Sequence, residues 1–236
     1  MLLSTRYDVL NTAIFLPSGG SRRVRQRFVD VLEIEPGHRV LELGCGTGQV
    51  TALLVAAGAD VVAIDALPGM LDGARRRAPD ATIVEGDIFD RELTGEFDRV
   101  VLSFVLHNFD ADGRTEALRR SAQLLAPTGF VGILDWAIPS GRIKPLLWRR
   151  FLTRLEPSVP DAPLDAELQH LGGVAPNVTG VLDGGLDADI EAAGLRLHDR
   201  RPSAGGRAQI LLAGRCVPPS GDGGARGTHR DHHRRG

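Results

Sequence analysis

Three glycines at alternate positions follow an acid in the stretch Leu41-Glu42-Leu43-Gly44-Cys45-Gly46-Thr47-Gly48, and a second acid, Asp65, closes an apolar run twenty-one positions after Gly44. Glycines at this density let a chain turn sharply and approach a ligand closely, because no Cβ stands in the way. A turn that holds a pyrophosphate usually reads G-x-G-x-x-G, with the third glycine letting a helix N-terminus press on the diphosphate. Here the spacing is G-x-G-x-G, and Glu42 stands at its entrance. A carboxylate is a poor neighbour for an anionic bridge and a good one for a cationic group. The pattern therefore points to a nucleoside whose far end carries an ammonium group and a second positive centre.

Such a turn works between a strand and a helix of an open parallel sheet, and the flanking residues supply both. Arg39 to Leu43 reads as a buried strand, and Val50, Leu53, Leu54 and Ala57 fall at helical spacing before Gly58. Asp60 to Ile64 predicts a second strand ending at Asp65. Pro68 opens a helix with Met70, Leu71 and Ala74 inside, stopped by Arg75-Arg76-Arg77 and Pro79. Thr82 to Glu85 and Arg99 to Phe104 are the third and fourth strands. Asp112 to Leu125 predicts an amphipathic helix broken by Pro127 and Gly129, and Phe130 to Asp135 the fifth strand. A helix over Ser21 to Leu32 precedes these elements. A late helix near Leu186 to Ala193 follows, then β-like runs Leu195 to Arg200 and Gln209 to Arg215 joined through Gly205-Gly206. The expected fold is α/β: a doubly wound, mostly parallel seven-stranded sheet with an antiparallel C-terminal hairpin. Residues 1–38 are expected to form an N-terminal helical cap over the pocket and 39–216 the main domain. Within the latter, a proline-broken, lid-like insert is expected at about 137–185, with one helix around Pro145 to Leu155; the Arg/His-rich segment 217–236 is expected to be disordered.

At Glu42, the glycine turn, Asp65 and Asp87 the chain resembles the class I S-adenosylmethionine-dependent methyltransferases, and the resemblance runs from about Arg39 to about Trp136. It implies a Rossmann-like methyltransferase fold, with S-adenosylmethionine as cofactor. By that resemblance Gly44, Gly46 and Gly48 shape the cofactor turn, Glu42 helps hold the methionine end, and Asp65 takes both ribose hydroxyls. Ala66, Leu67 and Met70 would wall the adenine, Asp87 would accept from its amino group, and Ile88 would pack on the ring. Ser103 and Phe104 would meet the methionine moiety through their backbone. The apolar sequence around the fourth strand and the helix after it is similar to the quinone-biosynthesis and natural-product branches of the family.

Methyl transfer from a sulfonium is an in-line displacement in which the protein chiefly aligns the nucleophile, and a general base matters when the acceptor is a weak acid. His107, in the run Ser103-Phe104-Val105-Leu106-His107-Asn108 off the fourth strand, is the first candidate; the alternative is that it hydrogen-bonds its loop. Asp135, at the end of the fifth strand, is the second, as a base, as an orienter of the acceptor, or as a plain turn acid. Tyr7, His107 and Trp136 are the expected acceptor contacts, and no metal site is expected. The acceptor is expected to be a small molecule, phenolic or quinone-like, methylated on oxygen, nitrogen or carbon. The alternatives are a protein that binds S-adenosylmethionine without transferring its methyl group, or senses it, and thirdly a nicotinamide dehydrogenase.

Composition narrows the partners. The 236 residues are 42% hydrophobic and 25% charged, with a formal net charge of −2, which provides no general pull toward nucleic acid or anionic membrane. There is no N/D-P-P-Y/F/W segment after the fourth strand and no Pro-Cys pair, so a nucleic-acid methyltransferase is disfavoured. The local basic runs at Arg22, Arg23, Arg25 and Arg27 and at Arg149-Arg150 read as solvated faces unless they turn toward the pocket, where they would favour an anionic or phenolate acceptor. Cys45 and Cys216 make no disulfide framework and no C-x-x-C pair. Arg6 and Asp8 interrupt the apolar start at Met1-Leu2-Leu3, and no run approaches the roughly 20 residues of a membrane span. The expectation is a cytoplasmic monomer or homodimer.

Overall fold

Strand β1 (Arg39–Leu43) lies at the middle of the sheet, hydrogen-bonded in parallel to β2 (Asp60–Asp65) on one side and β4 (Phe97–Ser103) on the other. The computed structural model describes residues 15–89, 93–139, 181 and 185–215. Tyr7, the helix expected around 145–155, the Arg149-Arg150 run, most of the expected insert, Cys216 and the tail lie outside them. Strand β3 (Thr82–Glu85) flanks β2, β5 (Leu125–Trp136) flanks β4, and β6 (Leu195–Ser203) and β7 (Ala208–Arg215) complete the order β3-β2-β1-β4-β5-β7-β6. The first five strands run parallel, and β7 is antiparallel to both β5 and β6. This is the expected seven-stranded, mostly parallel sheet with its antiparallel C-terminal strands.

Parallel strands need covering helices on both faces, because their crossovers pass there. Helices α1 (Ser21–Val31), α2 (Gln49–Ala56) and α3 (Pro68–Arg77) cover one face, and their Phe28, Leu54 and Leu71 pack with Val40, Val101 and Leu134 of the sheet. Helices α4 (Ala111–Leu124) and α5 (Gly185–Ala192) cover the other, where Leu118 and Ile190 meet Leu41, Val100 and Ile133. A buried pair, Arg114 Nε donating to Asp189 Oδ2 at 2.5 Å, ties α4 to α5. On the first face α1 sits directly on β5: a Cβ added to Gly132 would lie 2.3 Å from Leu32 Cδ2.

Strand β5 starts five residues earlier than its sequence suggests, and Leu125 belongs to it rather than to α4. Leu125 pairs with Phe97, and the register then slips between Phe97 and Arg99 before Phe130 pairs with Arg99. The pairing with β7 begins only at Phe130, and residues 126–129 lie in the slip with no register partner among the described strands. A proline is tolerated in such an edge-like stretch, since its missing N–H costs no ladder bond there. Pro127 and Gly129 therefore mark an irregularity inside a strand and not a gap before one.

Alternation along the strands decides which side chains reach which face. Glu42 has the parity of Val40 and Ser103 that of Val101, so both face α1 and α2. Asp135 has the parity of Val131 and Ile133 and belongs to the opposite face. The reversal of strand order between β2-β1 and β4 opens a crevice at the carboxyl ends, the usual ligand position in an open parallel sheet.

Candidate functional site

The glycine turn closes over this crevice. Gly44 N and Cys45 N both donate to Ile64 O, at 2.8 and 3.0 Å, which draws the turn across to the tip of β2. Asp65 then fastens it: Oδ2 accepts from Gly46 N at 2.6 Å and Oδ1 from Leu67 N at 2.9 Å. One bond to each oxygen leaves further lone pairs on a carboxylate that lines the cavity. Burial raises the Asp65 pKa, against the lowering effect of the Leu67 and Gly46 N–H groups. The glycines serve different ends. Gly46 has φ +53° and open space where a Cβ would be, whereas at Gly48 a Cβ would strike Ala74 Cα at 2.6 Å. Gly48 thus lets α2 press on α3, while Gly46 leaves room in the cavity.

Glu42 is 1% exposed and accepts a 2.6 Å hydrogen bond on Oε2 from Thr51 Oγ1. Burial pushes its pKa from 4.5 up to about 8; the Thr51 hydroxyl opposes that rise, the charge of Asp65 adds to it and that of Arg25 opposes it. The folded protein therefore keeps a proton on Glu42 through a range in which the unfolded chain has lost it. Stability contributed by the protonated form is present below about pH 4.5 and falls as pH rises toward about 8. Melting curves across that window are expected to show a Tm decline that is shallower in Glu42→Gln, whose amide oxygen still accepts from Thr51.

Of the other residues foreseen from sequence, Leu67 and Met70 line the cavity beside Asp65, and Gly44, Ser103 and Phe104 line it at the β4 end. Ala66 is half-buried in the same turn. Asp87 accepts from Phe89 N at 2.8 Å, and Ile88 is buried in the core on the α4 face; neither lines the cavity. Among the described residues the buried Ser103 hydroxyl has no hydrogen-bond partner. Burial pushes the Cys45 thiol far up, so the cysteine of the turn is held as a neutral thiol.

His107 and Asp135, named separately from sequence, form a pair. The ring Nδ1 of His107 lies 2.8 Å from Asp135 Oδ1, and the carboxylate also accepts from the backbone N–H groups of Trp136 at 2.8 Å and His107 at 3.3 Å. Asp135 is 1% exposed and His107 14%, so the acid is locked in the interior and the imidazole is not. His107 lies on the single 3₁₀ turn Leu106–Asn108 after Phe104, a bulky residue at φ +53° whose N–H donates to Leu134 O at 2.7 Å. That left-handed residue ends β4 and turns the chain toward the β5 terminus. Phe15, Phe104 and Trp136 form an aromatic cluster beside the pair: Phe104 and Trp136 centroids are 4.7 Å apart, and the His107 ring is 6.1 Å from Trp136. His107, Asp135 and Trp136 do not line the cavity themselves; Val105 and Asn108 on either side of His107 do.

Residues 40–129 match the family described as Methyltransferase domain. The chain is 36% identical over 135 residues, 57% of its own length and 64% of the other's, to an uncharacterized methyltransferase of Synechocystis sp.. It is 31% identical over 158 residues to a demethylmenaquinone methyltransferase of Renibacterium salmoninarum, covering 66% of this chain and 65% of that one. Residues 40–129 carry a methyltransferase domain. Among solved structures, a TehB-like S-adenosylmethionine-dependent methyltransferase from Corynebacterium glutamicum shares the fold of the domain at a TM-score of 0.57, 20% identity, and coverage of 81% of this chain and 87% of that one. The chain spans just under two thirds of the length of these curated relatives.

The residues of the methyltransferase domain fit its cofactor. S-adenosylmethionine carries a ribose diol, an amino-acid end and a positive sulfur. The cavity has carboxyl groups at Asp65 and Glu42 that offer acceptor oxygens, a Ser103 hydroxyl with no hydrogen-bond partner among the described residues, and apolar Leu67 and Met70 next to Asp65. Among the described residues no cluster of His, Cys, Asp and Glu could hold a metal ion, and no helix is long and apolar enough to cross a membrane.

Sequence reasoning gave no site role to Gln49, Thr51 or Asn108 and read Arg25 within a basic run as solvated unless it turned toward the pocket; Arg25 is buried and lines the cavity with Gln49 and Asn108, and Thr51 holds Glu42. Arg25 had a visible signal, since it falls with Phe28, Val29 and Leu32 on the apolar stripe of α1, where a charge needs a reason. Thr51 had none, because a threonine in the first turns of a helix is commonplace.

Proposed function

We propose that the chain transfers a methyl group from S-adenosylmethionine to a small aromatic acceptor whose hydroxyl must lose a proton, the methyl going to that oxygen or to the adjoining ring carbon. The observation that carries the proposal is the 2.8 Å His107–Asp135 pair at the adjoining ends of β4 and β5. A buried carboxylate fixed by two backbone N–H groups holds Nδ1 as the donor, which leaves Nε2 to accept a proton. When bound, the cofactor supplies an electrophilic methyl group on a positive sulfur. His107 would take the hydroxyl proton and Asp135 would stabilise the resulting imidazolium; the phenolate oxygen, or its ring carbon with later loss of the ring proton, would accept the methyl group as its bond to sulfur breaks and the sulfur leaves as a neutral thioether.

The cofactor's site falls to residues already in place. Asp65 keeps lone pairs for the ribose diol, Leu67 and Met70 offer an apolar wall to the base, and Glu42 offers an acceptor to the ammonium group. Asp87, with one oxygen engaged by Phe89, keeps another for the adenine amino group, and Ile88 follows it. The aromatic cluster of Phe15, Phe104 and Trp136 favours a flat ring as acceptor, and the demethylmenaquinone methyltransferases among the relatives support that class. The same reading takes the chain as a cytoplasmic monomer or homodimer that binds no nucleic acid, supported by its near-neutral charge and its free Cys45.

The test is transfer of label from methyl-labelled S-adenosylmethionine to a panel of naphthols, dihydroxynaphthalenes and reduced quinones. Labelled product from at least one hydroxylated ring is expected. A chain that binds the cofactor yet labels none of them would overturn the proposal.

A further inference from the structure

Asn108 closes the 3₁₀ turn that carries His107, and it lines the cavity with Phe104 and Val105 of the same stretch. The turn keeps its shape without that side chain: Asn108 N donates to Val105 O at 3.0 Å and Phe109 N to Leu106 O at 3.1 Å. Asparagine and aspartate in loops commonly turn an oxygen onto a backbone N–H a few residues further on. Asp87 does so with Phe89 N and Asp110 with Gly113 N, each at 2.8 Å. Asn108 does not. Its carboxamide is half-buried at the cavity wall and, among the described residues, takes part in no hydrogen bond. Taking an amide out of water without a partner is unfavourable, so a ligand that fills the cavity there must offer it one.

The position of the amide says what that partner is. His107 directly precedes it, and consecutive residues of a 3₁₀ turn point about 120° apart. The imidazole accordingly meets Asp135, while Asn108 lines the cavity. An oxygen whose proton goes to His107 is therefore not the atom that meets Asn108. The amide is left for another polar atom of the same acceptor. A carboxamide is neutral and both donates and accepts, so it suits a second hydroxyl or a carbonyl and offers no ion pair to a carboxylate. Its neighbours Phe104 and Val105 carry no polar side-chain atoms that would compete for that bond.

We propose that Asn108 selects the acceptor by hydrogen-bonding a second oxygen on the ring whose hydroxyl His107 deprotonates, so that dioxygenated rings, hydroquinones and hydroxyquinones, are taken in preference to simple phenols. The inference rests on the proposed methyl transfer to an aromatic hydroxyl and adds to it a specificity-determining residue. Asn108 moves no proton. It fixes which way round the ring sits, and so which of its oxygens faces the imidazole.

The test compares kcat/KM of the full chain for 1-naphthol, the dihydroxynaphthalenes and 2-hydroxy-1,4-naphthoquinone, with methyl-labelled S-adenosylmethionine. The wild type is expected to prefer a ring with a second oxygen, and Asn108→Ala to lower that preference, the ratio of the two kcat/KM values, by about 10- to 100-fold, chiefly through KM. The lowered ratio is expected to stay constant with pH, since an amide does not titrate, whereas the deficit of a His107 variant is expected to change with pH. Asn108→Asp has the same shape, keeps the acceptor oxygens and loses the donors. It is expected to retain the preference for a dihydroxy ring and to lose that for the quinone carbonyl, and it serves alone if the alanine variant does not fold. A wild type indifferent to the second oxygen would overturn the inference, as would an unchanged ratio in the variants or an equal loss for every acceptor, which would leave Asn108 a structural part of the turn. If the wild type binds the cofactor and labels none of the rings, the proposed function itself fails, and the inference with it.

Discussion

His107→Ala is expected to lower kcat by about 10²- to 10⁴-fold, the usual worth of a positioned general base, with the Kd for S-adenosylhomocysteine within about 2-fold of wild type. The physical ground is that His107 touches Asp135 and Trp136 but does not line the cavity that Asp65 and Glu42 share. On the proposed mechanism its loss removes the proton acceptor and leaves the proposed cofactor contacts in place. The deficit is expected to shrink as pH rises toward the acceptor's own ionisation, near 10 for a simple phenol, because the free phenolate needs no base. Asp135→Asn should reproduce much of the loss: the amide can present N–H to Nδ1 and so favour the wrong tautomer, although the volume is unchanged. Initial rates across pH for the two variants and the wild type are the measurement. A full rate in His107→Ala at neutral pH would return the pair to a structural role, joining the β4 and β5 ends.

Asp65→Ala carries the second large effect, and it is an effect on binding. A buried carboxylate that accepts from a diol makes charge-assisted hydrogen bonds, and removing it is expected to weaken S-adenosylhomocysteine by about 10²- to 10³-fold. The substitution also frees Gly46 N and Leu67 N, which Asp65 holds at 2.6 and 2.9 Å, so the glycine turn loses its tie to β2. Asp65→Asn separates the two contributions. Its amide oxygen can still take one of the two backbone bonds, so the turn is better preserved while the ribose loses a charged partner. Calorimetry is expected to rank wild type above asparagine above alanine. Affinity in Asp65→Ala equal to that of wild type would remove the ribose assignment.

The two variants probe the two kinds of information in the chain. Much of the cofactor half was legible because it is local. The glycine spacing, the acid at the entrance and the acid at the tip of β2 all sit within one β-α-β unit, where turn chemistry and strand alternation act over a few residues. The structure places Glu42, Gly44, Gly46 and Asp65 around one cavity. Two details still escaped that reasoning. Gly48 is needed against Ala74 of α3, a contact between helices, and β5 starts at Leu125, which pairs with Phe97 across a register slip.

The primary sequence was sufficient for the α/β architecture, the run of parallel strands with its antiparallel C-terminal hairpin, and the cofactor class, since periodicity and turn residues encode these at short range; the strand order came from the tertiary structure. Which distant side chains meet was settled by folding. His107 and Asp135 are 28 residues apart, and their pairing depends on the β4–β5 register and on the left-handed backbone at Phe104. Arg25 reaches the cavity because α1 docks on a bare glycine of β5, and nothing in its own helix reveals that Glu42 lies opposite. A pairing of that kind is a property of packed layers, where a one-residue slip would send each strand's side chains to the other face.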